Sequence, residues 1–226
     1  MKISGQLIKR ISVYLIGIYF TAVAIAISKM TPLGISPNSS LPIVFASFVI
    51  IQWILLGKNF RVINFIQVIL SIIYGFFVNS AVALVNRVLP PCDTYIMQLV
   101  YTLISALLLG AAIKVYLVPR LMALPAEGLA QAVAQRFKIP FPNAKNICDI
   151  TIVTISVILS FAYFGTLYGI REGTIIHAVL VGRSVKWSDK LFGRQLERFI
   201  WGNGKDDETE EEKEIEAIEE GIEKAI

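Results

Sequence analysis

The 226-residue chain draws 55% of its residues from the hydrophobic set and has a mean hydropathy of +0.66, whereas ordinary soluble domains are about 45–50% apolar. The excess is gathered into five stretches of roughly 18–28 residues without a charged side chain, each long enough to cross a bilayer core of about 30 Å as a helix. That pattern excludes a soluble domain, and the lack of ~10-residue alternating segments excludes a membrane β-barrel.

The net charge of +4 hides two unlike parts. Residues 1–204 hold 18 Lys+Arg against 6 Asp+Glu, and residues 205–226 hold 3 against 11. The basic excess flanks the apolar runs, where anionic lipid and the positive-inside rule account for it without nucleic acid. The expected organisation is one integral membrane domain over 1–204, in halves of about 8–90 and 94–190, followed by an acidic cytoplasmic tail over 205–226. Cys92 and Cys148 fall on opposite sides of the expected topology, so neither a disulfide nor cysteine-based metal chemistry is expected.

Met1–Arg10 carries three cations and no acid, and reads as a cytoplasmic cap. Ile11–Ser28 lacks a small-residue cleavage site and is as long as a span, so it reads as helix one. Thr31–Ser40 contains Pro32, Gly34, Pro37 and Asn38, all turn or cap formers. Asn38, Ser39 or Ser40 can cap a second helix over about Leu41–Leu56.

Lys58 and Arg61 mark a short loop before helix three, about Val62–Asn86. Asn64, Gln67, Ser71 and Tyr74 follow three- and four-residue spacing on that helix and share one face, with Asn79 a further polar group beyond them. A polar stripe inside a span should look toward protein or a wet cavity. Helix four is expected over about Thr94–Leu117.

A short helix is expected from Pro125 to Phe137, because proline suits the first helical position. Glu127 lies in its first turn, where the helix dipole favours a carboxylate by about 0.3–1 kcal/mol. Leu129, Val133 and Phe137 form a stripe that fits either a surface helix or a re-entrant one, and only the second makes Glu127 a cation or proton ligand. Ile139–Lys145 reads as broken by Pro140 and Pro142. Helix five then covers about Asn146–Leu167, with Asp149 near its inner end as a headgroup or cap acid.

Arg171 and Glu172 precede the last apolar piece, Gly173–Gly182, which at 1.5 Å per residue covers only about half the hydrocarbon core. They read as an interfacial pair or, functionally, as a gate or anion clamp. His177, the single histidine, lies in that piece and must find a partner there, as a structural hydrogen-bonded group or a proton relay. Arg183, Lys186, Lys190, Arg194 and Arg198 follow, so both chain ends are expected in the cytoplasm.

Leu33, Pro37 and Leu41 match Leu121, Pro125 and Leu129 at an offset of 88, as Ala24 and Ile25 match Ala112 and Ile113. Each half then has three crossings, and an odd number inverts the second copy, as in inverted-repeat transport folds. The first half is 19 residues shorter than the second between its proline motif and a glycine in its last helix, Gly75 against Gly182.

At these motifs the chain resembles the YitT/YczE-like family of bacterial multi-spanning membrane proteins, whose activity is unassigned. The pieces are Leu33-Gly34-Ile35-Ser36-Pro37, Leu124-Pro125-Ala126-Glu127-Gly128-Leu129 and Arg171-Glu172-Gly173-Thr174-Ile175-Ile176, in order over about residues 8–190. The resemblance implies a protein of the bacterial cytoplasmic membrane and a transporter-like fold, and supplies no substrate. Members of that family are longer after the first proline motif, with an additional short helical piece that this chain lacks. If that piece lines the site, the site here is altered.

The expected fold is therefore all-α: a polytopic protein of about five to six transmembrane helices plus the Pro125 helix. No paired-histidine zinc motif, phosphate-binding glycine loop or Ser-His-Asp set at one depth is present, so neither enzyme chemistry nor a cofactor or metal is expected. The candidate ligands for a small molecule or ion are Glu127, Arg171, Glu172, His177, Asn38, Asn79 and Asp149. The leading expectation is a small-solute or ion carrier embedded in the lipid bilayer. The rival is a non-transporting scaffold or regulator that binds a protein partner through the acidic tail.

Overall fold

The computed structural model describes residues 5–33, 42–57, 66–166 and 171–201, which contain helices and no strand. Asn38 and the acidic tail lie outside the described residues. In chain order the helices are α1 (Gly5–Lys29), α2 (Pro42–Leu56), α3 (Ile66–Val88), α4 (Tyr95–Leu117), α5 (Pro125–Phe137), α6 (Phe141–Phe164), α7 (Glu172–Ser188) and α8 (Arg194–Trp201), with one π-helical stretch, Asp189–Gly193, joining the last two. Among the described residues, α1, α3, α4 and α6 are long and apolar enough to cross a membrane, whereas α2 is shorter.

The side-chain distribution is that of a bilayer protein. Ile69, Ile72, Ile73 and Phe76 of α3 and Ile150, Ile155, Ile158 and Phe161 of α6 point outward. Contiguous exposed aliphatic faces of this size are rare on soluble monomers. The interior is lined instead by small and polar groups. α1 buries Gly17, Thr21, Ala22, Ala24, Ala26 and Ser28, the residue types that let helix backbones approach closely in lipid.

α1 and α4 form the centre and run antiparallel: Arg10 lies near Pro119 at one end and Thr31 near Thr102 at the other. α3 packs along α1, and α7 runs parallel to α4, with Ser105 beside His177 and Gly110 against Ser184. The Arg10 end is closed by stacking. Arg10 donates from Nε and Nη2 to the Pro119 carbonyl at 3.2 and 3.1 Å and lies over the Trp201 ring, which Arg120 also faces. Trp201 Nε1 donates to the Val118 carbonyl at 3.2 Å. At the Lys29 end, Gly173 N–H donates to the Leu33 carbonyl at 2.8 Å, and Arg171 Nη1 donates to the Pro32 carbonyl at 3.0 Å.

Three helices start or end away from their expected positions. α1 begins at Gly5, not Ile11, and takes in most of the basic N-terminal segment. α6 begins at Phe141, not Asn146, because Pro142 falls in its first turn, where the missing N–H would have had no helical partner. Gly165, at φ +66°, ends it. The last helix does not stop near Gly182. It continues as α7, the π stretch and α8 to Trp201, with Arg183 and Lys186 outward and Ser184, Val185 and Ser188 inward. Lys114 of α4 anchors the π stretch through Asp189 at 2.6 Å and α8 through Glu197 at 3.2 Å.

α5 ends at Lys138, which adopts the left-handed conformation at φ +54°. A β-carbon makes that conformation costly by about 1–2 kcal/mol, partly offset by the greater freedom glycine has when unfolded. Lys138→Gly should therefore raise stability by about 0.5–1 kcal/mol. Thermal unfolding in detergent checks this, and an unchanged or lower midpoint contradicts it.

Candidate functional site: a buried ionic triad at the start of α5

Ala123–Ala130 is buried without a break. A helix lying on a surface exposes a residue every turn, so the first two turns of α5 are embedded in the protein, packed against α2 and α6. The exposed residues of α5 are Gln131 and the last turn, Gln135–Phe137.

Three contacts set its position. The Pro125 carbonyl accepts from Gln52 Nε2 of α2 at 3.1 Å, and the same amide donates to Gln67 Oε1 of α3 at 3.2 Å. Gly128 lies directly on this amide pair. A β-carbon there would fall 2.8 Å from Gln67 Oε1 and 2.9 Å from Gln52 Oε1. Gln67, Ser71 and Tyr74 all face inward, as their spacing requires.

This seating directs Glu127 into the interior, 4% exposed. Its Oε1 lies 3.5 Å from Nζ of Lys145, which is fully buried, and Lys145 Nζ lies 2.9 Å from Asp149 Oδ1. Asp149 is thus neither a headgroup acid nor a cap, because one turn of α6 places it beside Lys145. Sequence reasoning missed Lys145. The signal was its four-residue spacing to Asp149, hidden by reading Pro142 as a helix breaker. The cluster sets two carboxylates against one ammonium, and Glu127 has a further polar contact beside Lys145. Burying an ion costs several kcal/mol unless it is paired and hydrogen-bonded, so the three groups depend on one another.

Beside Glu127 lies a cavity of about 20 Å³, room for one water-sized body. Thr21 and Ile25 of α1 and Leu109, Ile113 and Tyr116 of α4 form its walls, and Tyr74 of α3 closes one side. Thr21 Oγ1 donates to the Ile18 carbonyl at 2.6 Å, with Tyr74 beside it. The Tyr116 hydroxyl is buried beside Glu127 and the backbone of Leu124.

The other candidate residues are not brought to this site. His177 is fully buried in a separate cluster at the Lys29 end, where Nε2 lies 3.2 Å from Ser28 Oγ and 3.0 Å from Ser105 Oγ. Ser105 gives its hydrogen to the Thr102 carbonyl, so it accepts from Nε2–H, and Nδ1 has no partner. Arg171 and Glu172 are half-exposed and lie 3.7 Å apart, with Arg171 serving the Pro32 clasp. Asn79 is exposed on the outward side of α3. Among the described residues no group of three or more His, Cys, Asp and Glu is arranged to hold a metal ion.

The fold and this site define a helical integral membrane protein with a buried ionic triad beside a small, largely apolar cavity. Residues 8–190 match the model of a family of unknown function, DUF6198, and the chain belongs to that family. No curated protein and no solved structure matches it.

Proposed function

We propose that the protein is a small-solute or ion carrier of the bacterial cytoplasmic membrane, akin to the YitT/YczE-like proteins, with its pathway at Glu127. The Arg10 end, with both chain ends, faces the cytoplasm in this reading. The observation that carries it is the buried ionic cluster Glu127–Lys145–Asp149 beside a cavity. Ionisable groups held inside a membrane protein, away from lipid, mark ion and substrate paths.

An inverted repeat supports the same reading. Thr21 and Leu109, like Ile25 and Ile113, are separated by the repeat offset of 88, and all four line the cavity. A pseudo-twofold axis relating the halves would pass through it, and carriers of this kind bind cargo at the repeat interface beside broken or short helices.

Uptake into proteoliposomes across a panel of labelled amino acids, organic acids and inorganic ions tests the proposal. Glu127→Gln should lower the active flux at least about tenfold, the equivalent of one lost charged contact. Arg171→Ala, at the exposed clasp, should leave most of it. Wild-type flux in Glu127→Gln would remove the proposed site.

A further inference from the structure

We infer that the outward face of α7 and α8 between Arg183 and Arg198 holds one anionic phospholipid of the leaflet at the Arg10 end, with its phosphate on Arg183 and Lys186.

The face is cationic because its acids point elsewhere. Asp189 and Glu197 both turn to Lys114 of α4, at 2.6 and 3.2 Å. Arg183, Lys186, Lys190, Arg194 and Arg198 are exposed at three- and four-residue spacing, and among the described residues none of them is paired with an acid. Exposed apolar side chains directly follow these cations: Trp187 after Lys186, Leu191 after Lys190 and Phe199 after Arg198. A row of cations beside a row of apolar groups matches a lipid, which carries its phosphate next to its acyl chains.

Depth separates this site from the general attraction of basic loops to a membrane surface. Ser184 donates to the Leu107 carbonyl at 2.7 Å and packs on Gly110. The middle of α4 is Ala106, so Gly110 lies about 6 Å beyond it at 1.5 Å per residue. The hydrocarbon core extends about 15 Å from its midplane. Arg183, next to Ser184, therefore leaves the helix well inside the core and on its outer surface. A charge facing lipid at that depth is costly, and such groups normally turn inward or find a counter-ion. A phosphodiester drawn down beside the helix supplies one, and the planar guanidinium suits it as a two-pronged donor. Lys186, about one turn nearer the membrane surface, adds a second contact. A zwitterionic lipid brings its own ammonium, so the uncompensated face selects a lipid of net negative charge.

Purified full-length protein in maltoside micelles tests this, by thermal unfolding with phosphatidylglycerol, phosphatidylcholine or inorganic phosphate added. Phosphatidylglycerol should raise the midpoint saturably, and the other two should not. Arg183→Gln and Lys186→Gln, both on the outer face, should match wild type in phosphatidylcholine. In Arg183→Gln the half-saturating fraction of phosphatidylglycerol should rise about tenfold, as expected for a lost contact between charged groups. Arg136→Gln, which removes an exposed cation of α5, should leave the response unchanged. Equal midpoints in the two lipids, an unaltered response in both α7 variants, an equal loss in Arg136→Gln, or the same rise with inorganic phosphate would overturn the site. So would two results that give the face to another occupant. A phosphatidylglycerol response that appears only after removal of Lys205–Ile226 gives it to the acidic tail, and an Arg183-dependent dimer in phosphatidylcholine gives it to a second copy. Solute flux enters none of these readouts, so the lipid site stands or falls apart from the carrier reading.

Discussion

Lys145→Met should destabilise the protein by roughly 3–5 kcal/mol, the cost of leaving a buried charge without its partner. That is a large share of the ~5–15 kcal/mol that holds a typical domain together. The change leaves Glu127 and Asp149 facing each other's charge with no cation between them, and methionine replaces the volume but none of the hydrogen bonding. Glu127→Gln should behave oppositely. The Lys145–Asp149 pair, at 2.9 Å, remains complete and neutral without Glu127, and glutamine keeps much of its hydrogen bonding, so the loss should be about 1 kcal/mol. Unfolding of both variants in micelles checks the contrast. Equal losses would mean that Glu127 is part of the structural pair and not a group held ready for a ligand. Adding Asp149→Asn and Glu127→Gln to Lys145→Met should restore much of the loss, since an uncharged core cluster has no ion left to solvate.

The asymmetry between these two acids also explains what the sequence could reveal. α3 and α4 are legible to within a few residues from uncharged length, α5 is legible from Pro125, and α1 starts six residues before its uncharged run because its basic first turns are helical too. The inward stripe of Gln67, Ser71 and Tyr74 followed from helical spacing alone. Asn79, five positions past Tyr74, is turned roughly 140° away from that stripe, which its residue type conceals and its position reveals. Arg171 and Glu172 kept their place near an end of the bundle, but not a role at the pocket. The triad was beyond reach for a different reason. Glu127 and Lys145 meet only because α5 folds back against α6, a tertiary contact with no local pattern. The last helix was misjudged because Arg183–Arg198 was weighed as a charge run, whereas those charges share an outward face and Ser184, Val185 and Ser188 continue the buried one. In both cases the decisive quantity is which side of a helix faces protein, and hydropathy averaged along the chain does not contain it.

The cavity exists in its present form because α1 and α4 touch backbone to backbone, and that contact rests on Gly17. A β-carbon at Gly17 would lie 2.7 Å from both Cβ and the backbone nitrogen of Tyr116. No side-chain rotation relieves a clash with backbone, so Gly17→Ala already forces the helices apart and should cost about 1–3 kcal/mol, with Gly17→Leu costing more. Gly75 supplies the control. It sits mid-helix in α3 with nothing within 4 Å of its would-be β-carbon, and Gly75→Ala should be neutral or gain about 0.5–1 kcal/mol from the stiffer unfolded chain. The Gly17 variants should also reach the site. Tyr14 and Tyr116 pack edge to face, with centroids 6.0 Å apart, one turn of α1 away from Gly17. Prying the helices open moves the Tyr116 ring and with it the hydroxyl that lines the cavity. Proteoliposome flux should fall in Gly17→Ala while surviving in Gly75→Ala. A Gly17→Ala protein with wild-type stability would show that α1 and α4 pack less closely than described, and the geometry assigned to the cavity would fall with that contact.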